Sequence, residues 1–476
     1  MTPKVNKESK IVIIGAGSFG VSSAYHLAKA GYKDVTIIDR QPYDTNFYDS
    51  VSDSSDSASS DLNKIIRFSH YNEDYQELAM KTILEWEKWN EMLADAGDLP
   101  EGLSNDYPLY VKSGYTRYYT EDFSNNEEEI SNSESFKRVG LESTQFELSD
   151  KKDVFRARCM GFSHKLDPLK LADRVDQQGN KIKSHLDVTA GFAYASRATY
   201  FCFHLAKKLG VKHIFGPEKG QLSHYIREGN KIKGVVTKDG SLHSSNVVII
   251  ACGAWSPSLV PQLESINQAT SGNIIVIKIP EDRKDLINKY SIQKFPVVAW
   301  KSYSQRDEGG GVFFFPITEP EPYLKFGARH TKWTNPVTRG DKSISIPLTE
   351  STKPSSNEIP SDALGTVKDF ISTYLPDVAD LPITKTRLCW YSESVNDDFI
   401  IDWVPHSEGL FSCGGSSTHG FKFLPTVGQL TVEALEGISD KYTKRFSWRE
   451  PSSEDVKEFE STIRNFDINS IDRSHC

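Results

Sequence analysis

Three glycines near the start of the chain have a spacing that can hold a phosphate-bearing ligand. Gly15, Gly17 and Gly20 form Gly-x-Gly-x-x-Gly between the apolar run 11–14 and residues that recur at helical spacing. Glycine permits a tight turn and a close approach of backbone to a pyrophosphate, and a helix N-terminus adds amide donors. Asp39 ends a second apolar run, where a carboxylate accepts hydrogen bonds from ribose hydroxyls. The pattern predicts dinucleotide binding, with a purely structural glycine turn as the alternative.

This motif does not distinguish FAD from NAD. An acid at Asp39 disfavours NADP, because it would repel the additional phosphate of that cofactor. Arg40, the next residue, weakens that argument slightly. The sequence motif therefore leaves both FAD and NAD open.

Two later segments also place unusual residues beside apolar runs. Gly253 follows the apolar run 247–251, where glycine lets backbone approach a ligand; a buried strand with a simple turn is the alternative. Lys422 lies among apolar neighbours in the glycine-rich segment 413–425, where the alternative is a surface cation with its stem buried. Cys389, taken alone, is typical of a small buried apolar residue.

The elements that must position these residues begin with a strand, a glycine turn, a helix and a second strand. That order predicts a parallel sheet, and hence an α/β fold with a Rossmann-type domain. From residue 75 the side chains Ala79, Ile83, Trp86, Trp89 and Leu93 recur at helical spacing and predict a helix with one face in the core.

Charge and composition exclude some classes of protein. The 476 residues carry a net charge of -9, which argues against a nucleic-acid surface. The apolar runs are too short to span a bilayer, and the start of the chain lacks the apolar core of a signal peptide. Six cysteines at 159, 202, 252, 389, 413 and 476 have no metal or redox spacing. We therefore expect no metal site, no membrane partner and an intracellular location.

The last three residues, Ser-His-Cys, loosely resemble the small-basic-leucine peroxisomal address, although the final residue differs. A frayed polar tail is the alternative. Both a cytoplasmic and a peroxisomal location stay open.

Together, six segments resemble the D-amino-acid oxidase superfamily of flavoproteins, in particular its sarcosine oxidase branch with the fungal fructosyl-amino-acid and saccharopine oxidases. They are Gly-Ala-Gly-Ser-Phe-Gly at 15–20, Ser-Ala-Ser-Ser-Asp-Leu-Asn-Lys-Ile-Ile-Arg at 57–67, Gly-Phe-Ala-Tyr-Ala-Ser at 191–196 with Gly-Val-Lys at 210–212, Ala-Cys-Gly-Ala-Trp at 251–255, Cys-Trp-Tyr at 389–391 with Phe-Ile-Ile-Asp at 399–402, and His-Gly-Phe-Lys-Phe at 419–423. They occur in the family's order across residues 11 to 428, which is more specific than any one of them.

The resemblance implies FAD as the cofactor and a covalent bond from the flavin ring to Cys389. With the motifs above, the implied cofactor contacts are Gly15, Gly17, Ser18, Phe19, Gly20, Asp39, Arg40, Ser60, Lys64, Gly253, Trp255, Cys389, Asp402, Gly415, Gly420, Phe421 and Lys422.

It also implies roles for four cations. Lys422 and Arg67 match the residues that hold the substrate carboxylate, and Lys325 matches the lysine that helps dioxygen react. Lys64 is similar to the lysine of the fructosyl branch, where the sarcosine branch has arginine.

Arg329 departs from the fructosyl pattern, which has a substrate-facing glutamate four residues after the oxygen-activating lysine. A cation there would suit a substrate with a further carboxylate, such as saccharopine. An exposed arginine without a role is the alternative.

The expected reaction is oxidation of the C–N bond of an N-substituted amino acid, either a fructosyl amino acid or saccharopine, by dioxygen. The products are an imine, which hydrolyses, and hydrogen peroxide. Pipecolate or sarcosine oxidation, a flavin or NAD-dependent dehydrogenase and a flavin-binding protein without turnover are the alternatives. The partners expected are a small-molecule substrate and dioxygen, and a monomer is favoured although the oligomeric state stays open.

We expect two domains and a tail. The FAD-binding domain comprises 1–100, 155–263 and 385–450, and the substrate domain, an α+β unit on a mixed, largely antiparallel sheet, comprises 101–154 and 264–384. Residues 451–476 are expected to form a peripheral tail.

Overall fold

A computed structural model describes residues 5–49, 55–70, 72–120, 127–171, 174–175, 179–301, 311–349 and 358–474. Within them the strands are β1 Lys10–Ile14, β2 Asp34–Asp39, β3 Lys64–Ile66, β4 Tyr110–Val111, β5 Tyr115–Thr120, β6 Gln145–Glu147, β7 Ile182–Asp187, β8 Gly191–Ala193, β9 Lys212–Phe215, β10 Leu222–Glu228, β11 Lys231–Thr237, β12 Leu242–Ser244, β13 Val247–Ile250, β14 Asn267–Lys278, β15 Val297–Lys301, β16 Val312–Phe314, β17 Tyr323–Trp333, β18 Pro336–Arg339, β19 Lys342–Ser345, β20 Ile359–Pro360, β21 Ile383–Ser394, β22 Ile400–Trp403, β23 Leu410–Gly414 and β24 Arg473–Ser474.

The helices in the same residues are α1 Ser18–Lys29, α2 Tyr43–Asn46, α3 Glu73–Ala94, α4 Glu127–Arg138, α5 Lys151–Cys159, α6 Ser163–Leu166, α7 Ala195–Lys208, α8 Ser256–Leu259, α9 Lys284–Lys289, α10 Ser361–Tyr374, α11 Val427–Leu435, α12 Lys441–Arg445 and α13 Ser453–Asn465. None of the helices in these ranges has the length and apolarity needed to cross a bilayer.

The first sheet has the order β22-β23-β13-β1-β2-β9. Its strands are parallel except for β22, which runs antiparallel to β23. The glycine turn joins β1 to α1, and β2 follows, as the sequence predicts. The α/β fold with a Rossmann-type sheet is confirmed.

Both faces of β1 are covered, which explains its continuous apolar sequence. Ile11 and Ile13 pack with helices α1, α7 and α11 in one core cluster. Val12 and Ile14 point the other way and pack with Ile232 and other residues of the three-stranded sheet β10-β11-β12.

Gly20 allows α1 to lie against the end of β1. A Cβ atom at this position would lie 1.9 Å from the carbonyl oxygen of Gly15. Since that neighbour is backbone, Gly20→Ala is expected to lower the free energy of unfolding by roughly 1–3 kcal/mol, measured by urea denaturation. Gly365→Ala is the matched control, because a Cβ there, on α10, meets no atom within 4 Å. It should leave stability unchanged or raise it; equal losses in both variants would contradict the close-packing role.

The second sheet has the order β21-β14-β17-β16-β15-β5-β7-β6. Its pairs are antiparallel except for β15 with β5, so it is the mixed, largely antiparallel sheet that we expected. Leu324 and Phe326 of β17 pack against α10. Because side chains alternate along a strand, Lys325 and Gly327 belong to the opposite face.

The second sheet takes in segments that the expected boundaries assign to the FAD-binding domain. These are β7 and most of β21. They join it through non-local pairing, β7 with β5 and β21 with β14. The boundaries stay a prediction, and the strand pairing places both segments with the substrate unit.

Residues 451–474 are not a free tail. Ile468 is fully buried in the core of the second sheet, and its backbone N–H donates to the carbonyl of Thr334 at 2.8 Å. β24 also pairs with β20. The peripheral tail stays a prediction, since helix α13 has no buried residue, while Ile468 and β24 attach the end of the segment to the rest of the chain. His475 and Cys476, the end of the possible peroxisomal address, lie outside the described residues.

Candidate functional site

A cavity of about 290 Å³ lies beside the glycine loop and the ends of β2 and β13. Ligands of open parallel sheets bind at this edge. Eight predicted cofactor residues line it: Gly15, Gly17, Ser18, Phe19, Asp39, Arg40, Gly253 and Trp255. The structure therefore brings the first glycine motif and the segment around Gly253 into one site.

The backbone of the glycine loop is shaped for close approach. Gly15 has φ of +102°, and a Cβ atom there would lie 2.5 Å from the carbonyl oxygen of Ala251. Asp39 is held at the end of β2, where Oδ2 accepts from Ala16 N–H at 2.6 Å and Oδ1 from Gln41 N–H at 2.8 Å. Burial raises the pKa of Asp39, which these two donors oppose. The fixed carboxylate suits hydrogen bonds from sugar hydroxyls.

Sequence reasoning did not single out three residues that line the same cavity. Ser59 Oγ accepts from Ser18 N–H at 2.8 Å, and Asp56 pairs with Arg40 at 2.9 Å. The Arg40 guanidinium lies 5.1 Å from the centre of the Trp255 ring. Ser57 also lines the cavity. Ser57 and Ser59 belong to the segment 57–67 that carries the family resemblance, whereas Asp56 has no local signal.

Two predicted cofactor residues bind protein backbone instead of lining the cavity. Asp402 Oδ1 accepts from Trp403 N–H and Oδ2 from Trp448 N–H, both at 2.7 Å. Ser60 Oγ donates to the Tyr48 carbonyl at 2.7 Å. Their hydrogen bonds are structural, and the expectation that they contact the cofactor gains no support from their position.

The predicted glycines at 20, 415 and 420 also lie outside the cavity lining and have packing roles. Gly415 has φ of +64°, with Ile400 backbone nitrogen 3.1 Å from an added Cβ. At Gly420 an added Cβ would lie 2.4 Å from Ser416 Cβ. Phe421 is partly buried, with its ring 6.2 Å from that of Trp86.

A second group of predicted residues meets on the face of the large sheet opposite α10. Asp61 Oδ2 lies 2.7 Å from Lys325 Nζ and 2.6 Å from Lys64 Nζ. Lys325 Nζ also donates to the Asn63 carbonyl at 2.6 Å, and Lys64 Nζ lies 3.5 Å from Cys389 Sγ. The register of β21 and β17 on β14 puts Cys389 and Lys325 on one face.

These charges control one another's protonation. Burial lowers the pKa of Lys325 to about 8, although Asp61 opposes that shift. Burial would raise the pKa of Asp61, but Lys325 and Lys64 outweigh it and hold that pKa well below its ordinary value. Burial alone would lower the pKa of Lys64, and the attraction of Asp61 raises it instead. At neutral pH the group therefore holds one carboxylate between two ammonium ions.

Strand β21 connects this group to the cavity. Trp390 and Ser392 line the cavity, while Cys389 packs with Tyr391 and Ala58 on the other side. Ala58 itself lines the cavity. Ala58 thus separates the cavity from Cys389 and the charged residues around it, which adjoin the cavity without lining it.

Lys422 and Arg67 form a pair of cations beside the same region. Lys422 is 5% exposed and lies on the short 3-10 helix Gly420–Phe423, whose Lys422 carbonyl accepts from Trp86 Nε1 at 2.8 Å. Burial, and then Arg67, hold the pKa of Lys422 well below its ordinary value. Arg67 Nη1 donates to Ser69 backbone oxygen at 2.9 Å and to its hydroxyl at 3.1 Å. Across the described residues neither cation forms an ion pair.

Two histidines that sequence reasoning missed adjoin these cations. The rings of His70 and His419 lie 5.3 Å apart. Burial, followed by the charge of Lys422, lowers the pKa of both rings. Within the described chain His419 Nε2 is buried without a hydrogen-bond partner. Both rings are therefore neutral at physiological pH, and the local charge is positive. The sequence signal that could have pointed to these histidines is their place in the chain: His70 lies just after the segment 57–67, and His419 begins the segment 419–423.

Arg329 is part of a charge cluster of its own. It pairs with Glu393, which also lies 2.7 Å from Lys332, and its guanidinium is 4.1 Å from the centre of the Tyr391 ring. The side chain of Arg329 is 16% exposed, so the alternative of an exposed arginine gains no support. Its Nε is buried and, among the described residues, has no hydrogen-bond partner. Glu393 lies 64 residues away in sequence, so no local sequence pattern predicts the ion pair.

A parallel nucleotide-binding sheet joined to a second sheet with charged residues on its inner face is the architecture of a two-domain flavoenzyme. The chain belongs to the family of FAD dependent oxidoreductases, whose model matches residues 10–434. This confirms the expected superfamily and FAD dependence, and it sets the NAD-dependent alternative aside. The residues lining the cavity, with their glycine backbone and fixed Asp39, fit the nucleotide part of FAD.

Curated relatives and solved structures cover almost the whole chain. It is 25% identical to L-saccharopine oxidase of Schizosaccharomyces pombe over 92% of this chain and 93% of that protein. It is 24% identical to N-methyl-L-tryptophan oxidase of Salmonella typhi, over 91% and 96%.

Two solved structures share the fold. Fructosamine oxidase from Aspergillus fumigatus (Amadoriase II) has a TM-score of 0.75 at 24% identity, with 99% of this chain and 98% of that chain covered. Fructosyl peptide oxidase from E. terrenum has a TM-score of 0.78 at 22% identity, with 99% of each chain covered.

Proposed function

We propose that the protein oxidises the C–N bond of an N-substituted amino acid with dioxygen, giving an imine that hydrolyses and hydrogen peroxide. The observation that carries this proposal is the pair of basic side chains Lys422, which is buried, and Arg67, which is half-buried; neither has a carboxylate partner in the described chain. Buried charges are paired in proteins, so this site calls for an anion from outside. A substrate carboxylate supplies it.

Positioning is the main work of the residues around the substrate. FAD, when bound, accepts a hydride from the C–H bond beside the substrate nitrogen and passes the electron pair to dioxygen. Arg67 can grip a carboxylate through two N–H groups, and Lys422 adds a point charge. The neutral rings of His70 and His419 add no competing charge. Holding the amine in one orientation removes much of the entropic barrier.

Lys325 is the cation that we assign to the dioxygen step. Its ammonium is 1% exposed, on the same sheet face as Cys389. Negative charge developing on dioxygen is stabilised most strongly by a fixed cation in a site with little water.

Within this class, a substrate with a second carboxylate suits the site best. Arg329 and Lys332 place two positive charges against the single negative charge of Glu393. The Nε–H of Arg329 is buried, has no acceptor among the described residues and could donate to a substrate carboxylate. Saccharopine, named in one relative, has such an extra carboxylate, whereas a fructosyl group does not. Pipecolate and sarcosine, the alternatives, leave Arg329 unused.

A peroxide assay with saccharopine, fructosyl-valine, fructosyl-lysine, pipecolate and sarcosine tests the proposal. We expect saccharopine to give the highest kcat/KM. Anaerobic bleaching of the flavin without peroxide in air would indicate a dehydrogenase. Bleaching by none of the five would contradict the proposed substrate class.

We further propose that Cys389 carries the FAD covalently. Its support is the family resemblance and the position of Cys389 beside the cavity, with Lys64 Nζ 3.5 Å from Sγ. Wild-type protein precipitated with acid should keep its yellow colour, whereas Cys389→Ser should release FAD into the supernatant. Cys159→Ser is the control, because Cys159 is exposed on α5 and does not line the cavity. Colourless wild-type precipitate would refute the covalent bond.

A further inference from the structure

A second cavity, of about 660 Å³, reaches Asp61, the carboxylate that contacts Lys325 and Lys64. Its lining is Thr45, Asn46, Phe47, Asp49, Asp61, Leu62, Gly102, Tyr194, Ser196, Arg197, Tyr200, Thr318, Glu319, Pro320, Glu321 and Tyr323. Thr45, Asp49 and Glu321 are exposed, so the cavity opens to the surface. Its volume and polar walls allow it to hold several water molecules.

Asp61 is the residue that this cavity shares with the reaction site. Lys325 is 1% exposed and lines neither cavity, whereas Asp61 is 7% exposed and lines the second one. Asp61 Oδ2 contacts the ammonium groups of Lys325 and Lys64, at 2.7 and 2.6 Å. Ser196, also in the cavity wall, donates to the Asp61 carbonyl at 2.9 Å and fixes the segment.

We propose that Asp61 is a positioning and proton-relay residue, which keeps Lys325 charged in its buried site and connects it with water in the second cavity. This inference rests on the proposed oxidase function. In that reaction, bound FAD would supply dioxygen with an electron pair and with one of the two protons of hydrogen peroxide. The other comes from Lys325: an N–H bond breaks, an O–H bond forms, and the nitrogen keeps its lone pair.

Asp61 then restores the ammonium. Once Lys325 is neutral, Asp61 has lost one of the two cations that hold its pKa low, so it binds a proton more readily. That proton passes to the nitrogen of Lys325 and comes from water in the cavity. The carboxylate therefore acts through Lys325 and does not itself touch dioxygen.

Several charged or titratable groups face Lys325, Asp61 or the second cavity. They come from the segment 57–64, from β21 and from the cavity wall, and include Asp61, Lys64, Arg387, Cys389, Tyr391, Asp49, Arg197, Glu319, Glu321 and Tyr323. Arg387 donates to the carbonyl of Ser57 at 2.6 Å and holds the segment in place. Asp61 is the anion in direct contact with Lys325, so its removal should dominate any change in protonation.

Labelling with cyanate tests the charge on Lys325 without turnover, because only a neutral amine reacts. The wild-type pKa is lowered to about 8. In Asp61→Asn the attraction that opposes burial is lost, so labelling of Lys325 in the holoenzyme at pH 7, measured by mass spectrometry, should rise roughly five- to tenfold. Glu218→Gln, which breaks an exposed pair with Lys238, is the control and should label Lys325 as wild type does. Labelling of wild-type Lys325 at pH 9 shows that cyanate reaches the amine, and unchanged labelling in Asp61→Asn at pH 7 would then overturn the proposal.

Reoxidation of the reduced enzyme by dioxygen gives the second measurement. The rate should fall as pH rises through the pKa of Lys325, and in Asp61→Asn this fall should move to lower pH. Asp61→Glu keeps the charge and should keep the wild-type pH profile, which decides the matter if Asp61→Asn does not fold. If Asp61→Glu folds normally by circular dichroism but its reoxidation rate no longer falls as pH rises through the pKa of Lys325, the relay role would be contradicted. If no amine gives peroxide but labelling still responds to Asp61, the proposed function fails and the charge-holding role stands.

Discussion

Lys422→Met is expected to make the protein more stable and much less able to bind a carboxylate substrate. The ammonium of Lys422 is buried without an ion-pair partner in the described chain, and Arg67 lies close enough to oppose its charge. Replacing a buried charge with an apolar side chain of similar length should raise the free energy of unfolding by about 1–4 kcal/mol. Since the same charge is assigned to the substrate carboxylate, kcat/KM should fall by roughly 30- to 5000-fold, or about 2–5 kcal/mol.

The gain in stability should depend on pH. Because the pKa of Lys422 is lower in the folded protein than in the unfolded chain, the unfolded chain binds the proton more tightly. The penalty is therefore largest at low pH and vanishes as pH approaches the unfolded value near 10.5. Thermal unfolding of Lys422→Met and wild type, at equal FAD content, should differ clearly at pH 7 and converge toward pH 10.

Lys81→Met provides the control for Lys422→Met. Lys81 forms an exposed pair with Glu77 at 2.8 Å, so its loss should lower stability by about 0–1 kcal/mol and leave kcat/KM unchanged. A loss of stability with an unchanged KM in Lys422→Met would show that Lys422 is a structural cation and would remove it from substrate binding.

The parts of the fold that sequence predicted are those with local signals. The glycine turn, α1 and β2 lie within 30 residues, and their apolar and glycine spacing is set by covalent proximity. The helix α3 follows its predicted apolar stripe, with Asn72 as its N-cap, accepting from Asp74 and Tyr75. In each case the residues that decide the structure are neighbours in the chain.

The parts that sequence missed depend on distant partners. Asp402 looked available for a cofactor until Trp448, 46 residues away, was found to donate to its carboxylate. Arg329 was expected to suit a substrate carboxylate, and no local sequence pattern indicates its pair with Glu393 on β21, which strand β14 separates from β17. The link between Asp61 and Lys325 spans 264 residues. Charge pairing across elements is decided by tertiary packing, and one sequence holds no periodic signal for it.

Family resemblance supplied what local patterns could not. It pointed to Arg67, Lys422, Cys389 and Lys325, four residues spread over the chain that lie in two adjoining groups in the structure. It did not indicate their chemical state. Burial lowers the pKa of Lys422 well below its ordinary value and lowers that of Lys325 to about 8. Both shifts depend on contacts that only the three-dimensional structure shows.

Lys325→Met is expected to separate the two halves of the proposed reaction. Reduction of FAD by substrate under anaerobic conditions should stay within about threefold of wild type, because Arg67 and Lys422, the carboxylate clamp that we propose, are unchanged. Reoxidation by dioxygen should slow at least about tenfold and up to roughly 10³-fold, because a fixed charge is lost from a buried site. Stopped-flow absorbance of the flavin measures both rates on one preparation.

Folding should survive Lys325→Met, which keeps this experiment interpretable. Asp61 retains Lys64 at 2.6 Å, so its buried carboxylate is still paired, and methionine fills much the same space as the lysine stem. Lys325→Arg should keep part of the oxidation rate, since it preserves the charge but not the geometry. If reoxidation were equally fast in wild type and Lys325→Met, Lys325 would not be the residue that stabilises the charge on dioxygen. Lys64, which binds the same carboxylate, would then be the next residue to replace.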